Sequence, residues 1–365
     1  MRHCSTPNDC ENTGLLSCSR QFIIKGMVEV PRTPERRQEE PIAQQALARL
    51  MQSSKFTRLD ASTADTTIEN NGQQFQIEMV PDGKSETLSK VQKLFIDTFG
   101  AEEVDPEEIL RHAVDGENPW GETGQTMYRV HVVKDSKGEV VSTVAGGRLQ
   151  LFQSDGQPMD KQMFMIAYAV TDKNARQGGL AREAYISAIM QAAKDAQAEG
   201  KKLSFAAGEC TSTSEEFWNS VGWKRPYAES ASQPGTYEEL RYVQPALDFD
   251  PATGAPTEDA GVVPEHMMID SFEGTPPTKE DVLAAVRAFY TWNNTWPEKA
   301  FDNPEAFAKH REHVQEIWKE FKKQVQETGS LTYLDKKSRA EQMRSGLRIK
   351  EHDEADHGNG GPEDF

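Results

Sequence analysis

Apolar and polar positions first fall into a regular pattern at Phe75. Phe75, Ile77 and Met79 alternate with Gln76 and Glu78, which predicts a half-buried strand. After the turn signal Asp82-Gly83, residues Ser85 to Phe99 place Leu88, Val91, Leu94, Phe95 and Phe99 on one side of a helix that Gly100 stops. Pro106 to Val114 reads as a shorter helix. Strands are expected over Met127 to Val133 and Val140 to Phe152, joined by the turn Asp135-Ser136-Lys137-Gly138. Met163 to Val170 is almost continuously apolar and should be a strand covered on both faces. A helix from about Gly179 to Ala198, a short strand Leu203 to Ala207, a helix Ser214 to Val221 and a last strand Glu238 to Val243 complete the run. This order predicts an α+β domain: a mixed sheet flanked by helices over residues 71–247.

The flanks look different. Residues 1–70 are polar with little period and read as a mostly disordered head, apart from a short helix at Pro41 to Met51. Residues 248–264 read as a linker. Residues 265–350 read as a helical appendage, with one further strand at His266 to Phe272 and helices at Thr278 to Trp292 and Pro304 to Thr328. Residues 351–365 read as a disordered acidic tail.

Composition narrows the function classes. Apolar residues are 36% of the 365, low for a chain folded end to end, which fits the polar flanks. No stretch approaches the roughly 18 apolar residues that span a bilayer, so no membrane partner is expected. Leu15-Leu16-Ser17-Cys18 has the look of a lipoprotein cleavage site, but Ser5 to Gly14 is polar and supplies no apolar region before it. Cys4, Cys10, Cys18 and Cys210 show neither zinc-site spacing nor a disulfide framework, so no metal and a cytoplasmic setting are expected. A net charge of -18 argues against nucleic acid as a partner and is compatible with a cationic amine substrate.

The informative segment is Tyr168-Ala-Val-Thr-Asp-Lys-Asn-Ala-Arg-Gln-Gly-Gly-Leu-Ala181. A buried strand runs out near Val170, a glycine loop follows, and a helix opens. Unpaired backbone N–H groups at such a start point outward and the helix dipole adds positive potential, so the loop is built to cradle a phosphate. It is not a Walker loop, because no Gly-Lys-Ser/Thr follows.

Arg176, Gly179 and Ala181 fit the Arg/Gln-x-x-Gly-x-Gly/Ala signature of the GNAT acyltransferases. Phe217-Trp-Asn-Ser-Val-Gly-Trp223 resembles their second signature, and about half of the chain is similar to them in element order. The resemblance implies acetyl-CoA, or another acyl-CoA, as co-substrate and an amine-bearing acceptor. Its pyrophosphate would lie on the backbone of Gln177, Gly178, Gly179, Leu180 and Ala181, with the Arg176 side chain nearby. Ile166 to Val170 should splay from the next strand, with Ala169 and Val170 along the pantetheine arm. A backbone N–H near Tyr168 would meet the developing oxyanion, a donor worth about 2.7–4 kcal/mol of barrier.

Direct transfer to an ammonium needs a base, for which Glu209 is the first candidate. His131 and Tyr168 are weaker ones, since both read more readily as core. The sequence departs from the family's pattern in two places. The loop before the signature glycine is one residue longer than in many members. Trp218 stands where a tyrosine often serves as general acid, and an indole N–H has no proton to give a thiolate. The acid would then be Tyr227 or a water, or there would be none, since a coenzyme A thiolate is a fairly good leaving group. Two other readings stay open: a non-catalytic GNAT-fold module that binds acyl-CoA or a protein, and an interaction protein using Trp292, Trp296 and Trp318 as exposed anchors.

Overall fold

A computed structural model describes residues 43–101, 104–117, 126–176, 178–230, 232–246, 249–257, 263–292 and 294–351. In chain order the elements are α1 (Ala43–Gln52), β1 (Thr57–Arg58), β2 (Thr66–Asn70), β3 (Gln73–Met79), α2 (Thr87–Phe99), α3 (Glu107–Val114), β4 (Thr126–Lys134), β5 (Val140–Phe152) and β6 (Pro158–Thr171). Then come α4 (Leu180–Ala198), β7 (Lys202–Cys210), α5 (Glu215–Ser220), β8 (Arg225–Glu229), β9 (Thr236–Glu239), β10 (Tyr242–Gln244) and β11 (Val263–Ser271). The chain closes with α6 (Lys279–Trp292), α7 (Pro304–Glu327), β12 (Leu331–Leu334), α8 (Lys336–Arg344) and β13 (Arg348–Lys350).

The main sheet has the order β1-β2-β3-β4-β5-β6-β7-β11-β10. Its strands pair antiparallel except β6 and β7, which run parallel because α4 carries the chain back between them. A second sheet has the order β12-β8-β9-β13, and a bridge between Lys224 and Ile269 joins it to β11.

Strand alternation divides the core into two layers. Phe205 and Ala207 on β7 join the layer under α2, α3, α6 and α7, while Leu203, Ala206 and Cys210 join the layer under α1, α4 and α5. The expected elements from Phe75 to Ser220 are present, and the fold is α+β with a mixed sheet flanked by helices.

Three boundaries need correction. Residues 43–70 are not a disordered head: Ala43, Ala46, Leu50 and Ile68 are buried, and α1 packs on α4. The helix expected at Pro41 to Met51 is α1, where Ala43, Ala46 and Leu50 form one apolar stripe. The linker assigned to 248–264 is in part core. Phe249 is buried with Phe301 and Phe307, and the Gly254 backbone lies so close to Ala306 that a side chain there would collide with its carbonyl.

Residues 265–350 are not an appendage. β11 fills the sheet position beside β7, α6 and α7 complete the α2 layer, and β12 and β13 close the second sheet. All described residues fall in one compact unit. The strand expected over Glu238 to Val243 is two: β9 belongs to the second sheet and β10 to the main one. The tail at 352–365 lies outside the described residues.

Side chains cap α6 and α7. Thr278 and Asp281 form a reciprocal capping box, the Thr278 N–H donating to Asp281 Oδ2 at 2.9 Å and the Asp281 N–H to Thr278 Oγ1 at 3.2 Å. Asn303 Oδ1 accepts the Ala306 N–H at 2.8 Å, with Pro304 at the first position of α7.

Candidate active site

β6 and β7 pair from Lys161 and Lys202 to Met165 and Ala207, and then part. Beyond that point β6 stays paired to β5 as far as Thr171, and β7 to β11 as far as Cys210. The two strands therefore open as a V, with one free edge of β6 from Ile166 onward.

A bulge lies at the apex. Ala145 faces Tyr168 and Gly146 faces Ile166, so Ala167 is an extra residue without an opposite number, and it is exposed. The extra residue turns Tyr168 over. Phe164 and Ile166 face the α4 layer, yet Tyr168 packs in the α2 layer. Gly146 makes the bulge possible, since a Cβ there would sit 2.1 Å from the Met165 carbonyl oxygen.

At the mouth of the V, β6 passes through Arg176 and Gly178 into α4. Gly179 is the N-cap, at φ 88°, with no side-chain cap. The left-handed backbone requires glycine there, and the first N–H groups of α4 are left for an external acceptor. Gly178 and Gly179 are both clear of close neighbours. Leu180 points into the core. Arg176 Nε donates to the Thr171 carbonyl at 3.3 Å, so this side chain folds back on the end of β6. Gln177 lies outside the described residues.

Glu209 lies on β7 past the point of parting and faces the α2 layer with Tyr168. The Tyr242 hydroxyl donates to its Oε1, and Gln244 Nε2 donates to Oε2 at 3.1 Å. Burial pushes the carboxyl up to about 7 against the opposing pull of the Tyr242 hydrogen bond. Such a group is half ionised at neutral pH, which suits a general base. Tyr242 and Gln244 were not anticipated as site residues.

Tyr168 stacks on Phe95 at 4.5 Å, donates to Asp105 Oδ2 at 3.0 Å and accepts the Asp105 N–H at 3.2 Å. Tyr227 is elsewhere. It is fully buried on β8 of the second sheet, its hydroxyl has no hydrogen-bond partner among the described residues, and burial raises its pKa beyond any useful range. Trp218 is core, tilted against Trp223 at 4.5 Å and edge-on to Tyr185. His131 is fully buried, neither ring nitrogen has a hydrogen-bond partner among the described residues, and burial lowers its pKa to about 3, so it stays neutral. The structure thus brings Tyr168 and Glu209 to one face of the V, the Gly178–Ala181 backbone to its mouth, and leaves Tyr227 out. Trp318 packs against the α2 layer and Trp296 against the Phe249 cluster, so neither is a free anchor; the Trp292 side chain lies outside the described residues.

No family model and no curated protein matches the sequence. Solved structures that share features of the fold include the ribosomal-protein-S18-alanine N-acetyltransferase from Escherichia coli, at 9% identity and TM-score 0.32 over 55% of this chain and 96% of that one. An aminoglycoside acetyltransferase from an uncultured soil metagenomic sample, in complex with sisomicin, is 14% identical with TM-score 0.31 over 40% and 87%. An acetyltransferase of the GNAT family from Staphylococcus aureus is 9% identical with TM-score 0.31 over 54% and 99%. These likenesses are too distant to carry a residue's role across.

Proposed function

We propose that the chain is an acyl-CoA-dependent N-acyltransferase of the GNAT type, moving an acetyl or other short acyl group to a primary amine. The observation that carries this reading is the parting of β6 from β7 beyond Met165 and Ala207, next to the Gly178-Gly179 start of α4. A parted parallel pair exposes strand-edge N–H and C=O groups that can pair with the amides of a pantetheine arm. The helix start at the mouth of the same V supplies N–H donors and positive dipole to a pyrophosphate.

Chemistry then follows from the side chains along the α2 face. The ammonium of the acceptor gives a proton to Glu209, and its lone pair attacks the thioester carbon. The oxygen takes negative charge and is met by a backbone N–H at the Ala167 bulge, the nitrogen gives its second proton to water, collapse expels the thiolate, and a neutral amide remains. Glu209 and Asp105 both face this side, which favours a cationic acceptor. Tyr168 is the phenol positioned to protonate the thiolate, since Trp218 has no proton to give and Tyr227 lies elsewhere.

A second reading, a binding module without turnover, rests on the burial of Trp218 at the position of the family's acid. Calorimetry with acetyl-CoA tests what both readings share. Saturating acetyl-CoA should bind and raise the Tm of the wild type. Gly178→Glu should abolish both effects, because it sets a negative charge in the pyrophosphate seat without the backbone strain of a side chain at Gly179. A wild type that ignores acetyl-CoA would contradict both.

A further inference from the structure

A second constellation lies on the opposite face of β7. Cys210 faces His266 across the β7–β11 ladder, on the α4 side of the sheet, away from Glu209. His266 Nδ1 is 2.7 Å from Glu239 Oε1, and its Nε2 is 3.3 Å from Ser212 Oγ. Glu239 is 5% exposed and His266 2%, whereas Ser212, in the loop between β7 and α5, is open to solvent. A hydroxyl at the surface, an imidazole behind it and a buried carboxylate behind that are linked in series by these two contacts.

We infer that Ser212, His266 and Glu239 form a second, hydrolytic site that acts on carboxylic esters. The order of roles follows from what each group can do. Glu239 accepts the Nδ1–H of His266 and fixes the tautomer that leaves the Nε2 lone pair facing Ser212. Arg225 Nη1 lies 2.9 Å from the same Nδ1 and 3.5 Å from Glu239 Oε2, so it pairs with the carboxylate behind the imidazole, while its Nη2 donates to Glu215 Oε2 at 2.6 Å. Glu215 is held in turn by Arg339 at 2.6 and 2.9 Å. This buried lattice of charges fixes Glu239 and the imidazole in place. Cys210 is not the nucleophile, because it is buried and desolvation keeps its thiol protonated.

In the reaction, Ser212 Oγ passes its proton to His266 Nε2 as it bonds to the ester carbonyl carbon. The carbon–oxygen bond to the leaving alcohol then breaks, and that oxygen takes the proton from His266. Water, deprotonated by the same imidazole, releases the acid from Ser212. The net change is ester plus water to acid plus alcohol.

The test is labelling of the full chain with a fluorophosphonate, followed by peptide mapping, with p-nitrophenyl acetate hydrolysis in parallel. Ser212 should be labelled, and Ser212→Ala should remove both the label and the hydrolysis. Glu239→Gln should slow labelling by about 10²-fold or more, a loss of the size expected when a positioned base is misdirected. If that variant does not fold, Ser212→Ala decides, because Ser212 is at the surface and its replacement leaves the buried charges intact. An unlabelled Ser212, a Ser212→Ala that hydrolyses the ester at the wild-type rate, or a folded Glu239→Gln that labels at the wild-type rate would overturn the inference.

Discussion

The Tyr242 hydroxyl donates a hydrogen bond to Glu209, from a strand that stands one place further along the sheet, past β11. That bond stabilises the carboxylate, while burial favours the neutral acid and prevails, leaving the pKa at about 7. Removing the bond should weaken the opposition to burial, leaving only the Gln244 donor. Tyr242→Phe should therefore move the midpoint of the kcat/KM profile to higher pH, with activity still rising as pH rises. A midpoint that stays or falls would show that Tyr242 does not act on Glu209.

Glu209→Gln removes the base. The expected loss in kcat/KM for amine acylation is about 10²–10⁴-fold, shrinking at high pH where the free amine needs no base. The same substitution has a stability signature. The Glu209 pKa is raised in the fold from its ordinary 4.5 to about 7, so its protonation stabilises the native state at low pH and that stabilisation is lost as pH rises through this window. The pH dependence of Tm between about 4.5 and 7 should be shallower in Glu209→Gln than in the wild type.

Much of this site is legible from residues 168–181 alone. An apolar run ending at Val170, a glycine pair and a long helix require a buried strand, a tight turn and a helix start whatever else the chain does. The partners of Glu209 are not legible in this way. Tyr242 and Gln244 reach it only because β11, read as part of an appendage, takes the place beside β7. The bulge at Ala167 is equally hidden, since an apolar run carries no mark of one extra residue; Gly146 on the opposing strand is the trace it leaves. Residues 43–70 depart from the expected disorder for a different reason. Their polar residues Arg49, Ser54 and Arg58 are bonded to Asp270 and Glu183, so low hydropathy in this stretch reflects internal pairing.

Those contacts make residues 43–58 part of the fold. Leu50 is 1% exposed in the α4 layer, so Leu50→Ala should cost about 2–5 kcal/mol. Urea denaturation would measure it. A loss under about 0.5 kcal/mol would mean that α1 does not pack as described.

Gly146→Ala tests the apex of the V. Its methyl group would meet the Met165 carbonyl at 2.1 Å, a clash with backbone that cannot move without undoing the bulge. Overpacking of this kind costs about 1–3 kcal/mol, and the variant should also bind acetyl-CoA more weakly, because the parted edge of β6 starts at this point. A variant with unchanged Tm and unchanged affinity would place the cofactor away from the bulge.

Transfer of an acyl group to an amine would show as release of the coenzyme A thiol from acetyl-CoA in the presence of primary amines. Thiol release should depend on both the amine and the enzyme and fall with Glu209→Gln. A wild type that binds acetyl-CoA yet releases no thiol with any amine, monocationic or polycationic, would contradict it and leave the binding module in its place.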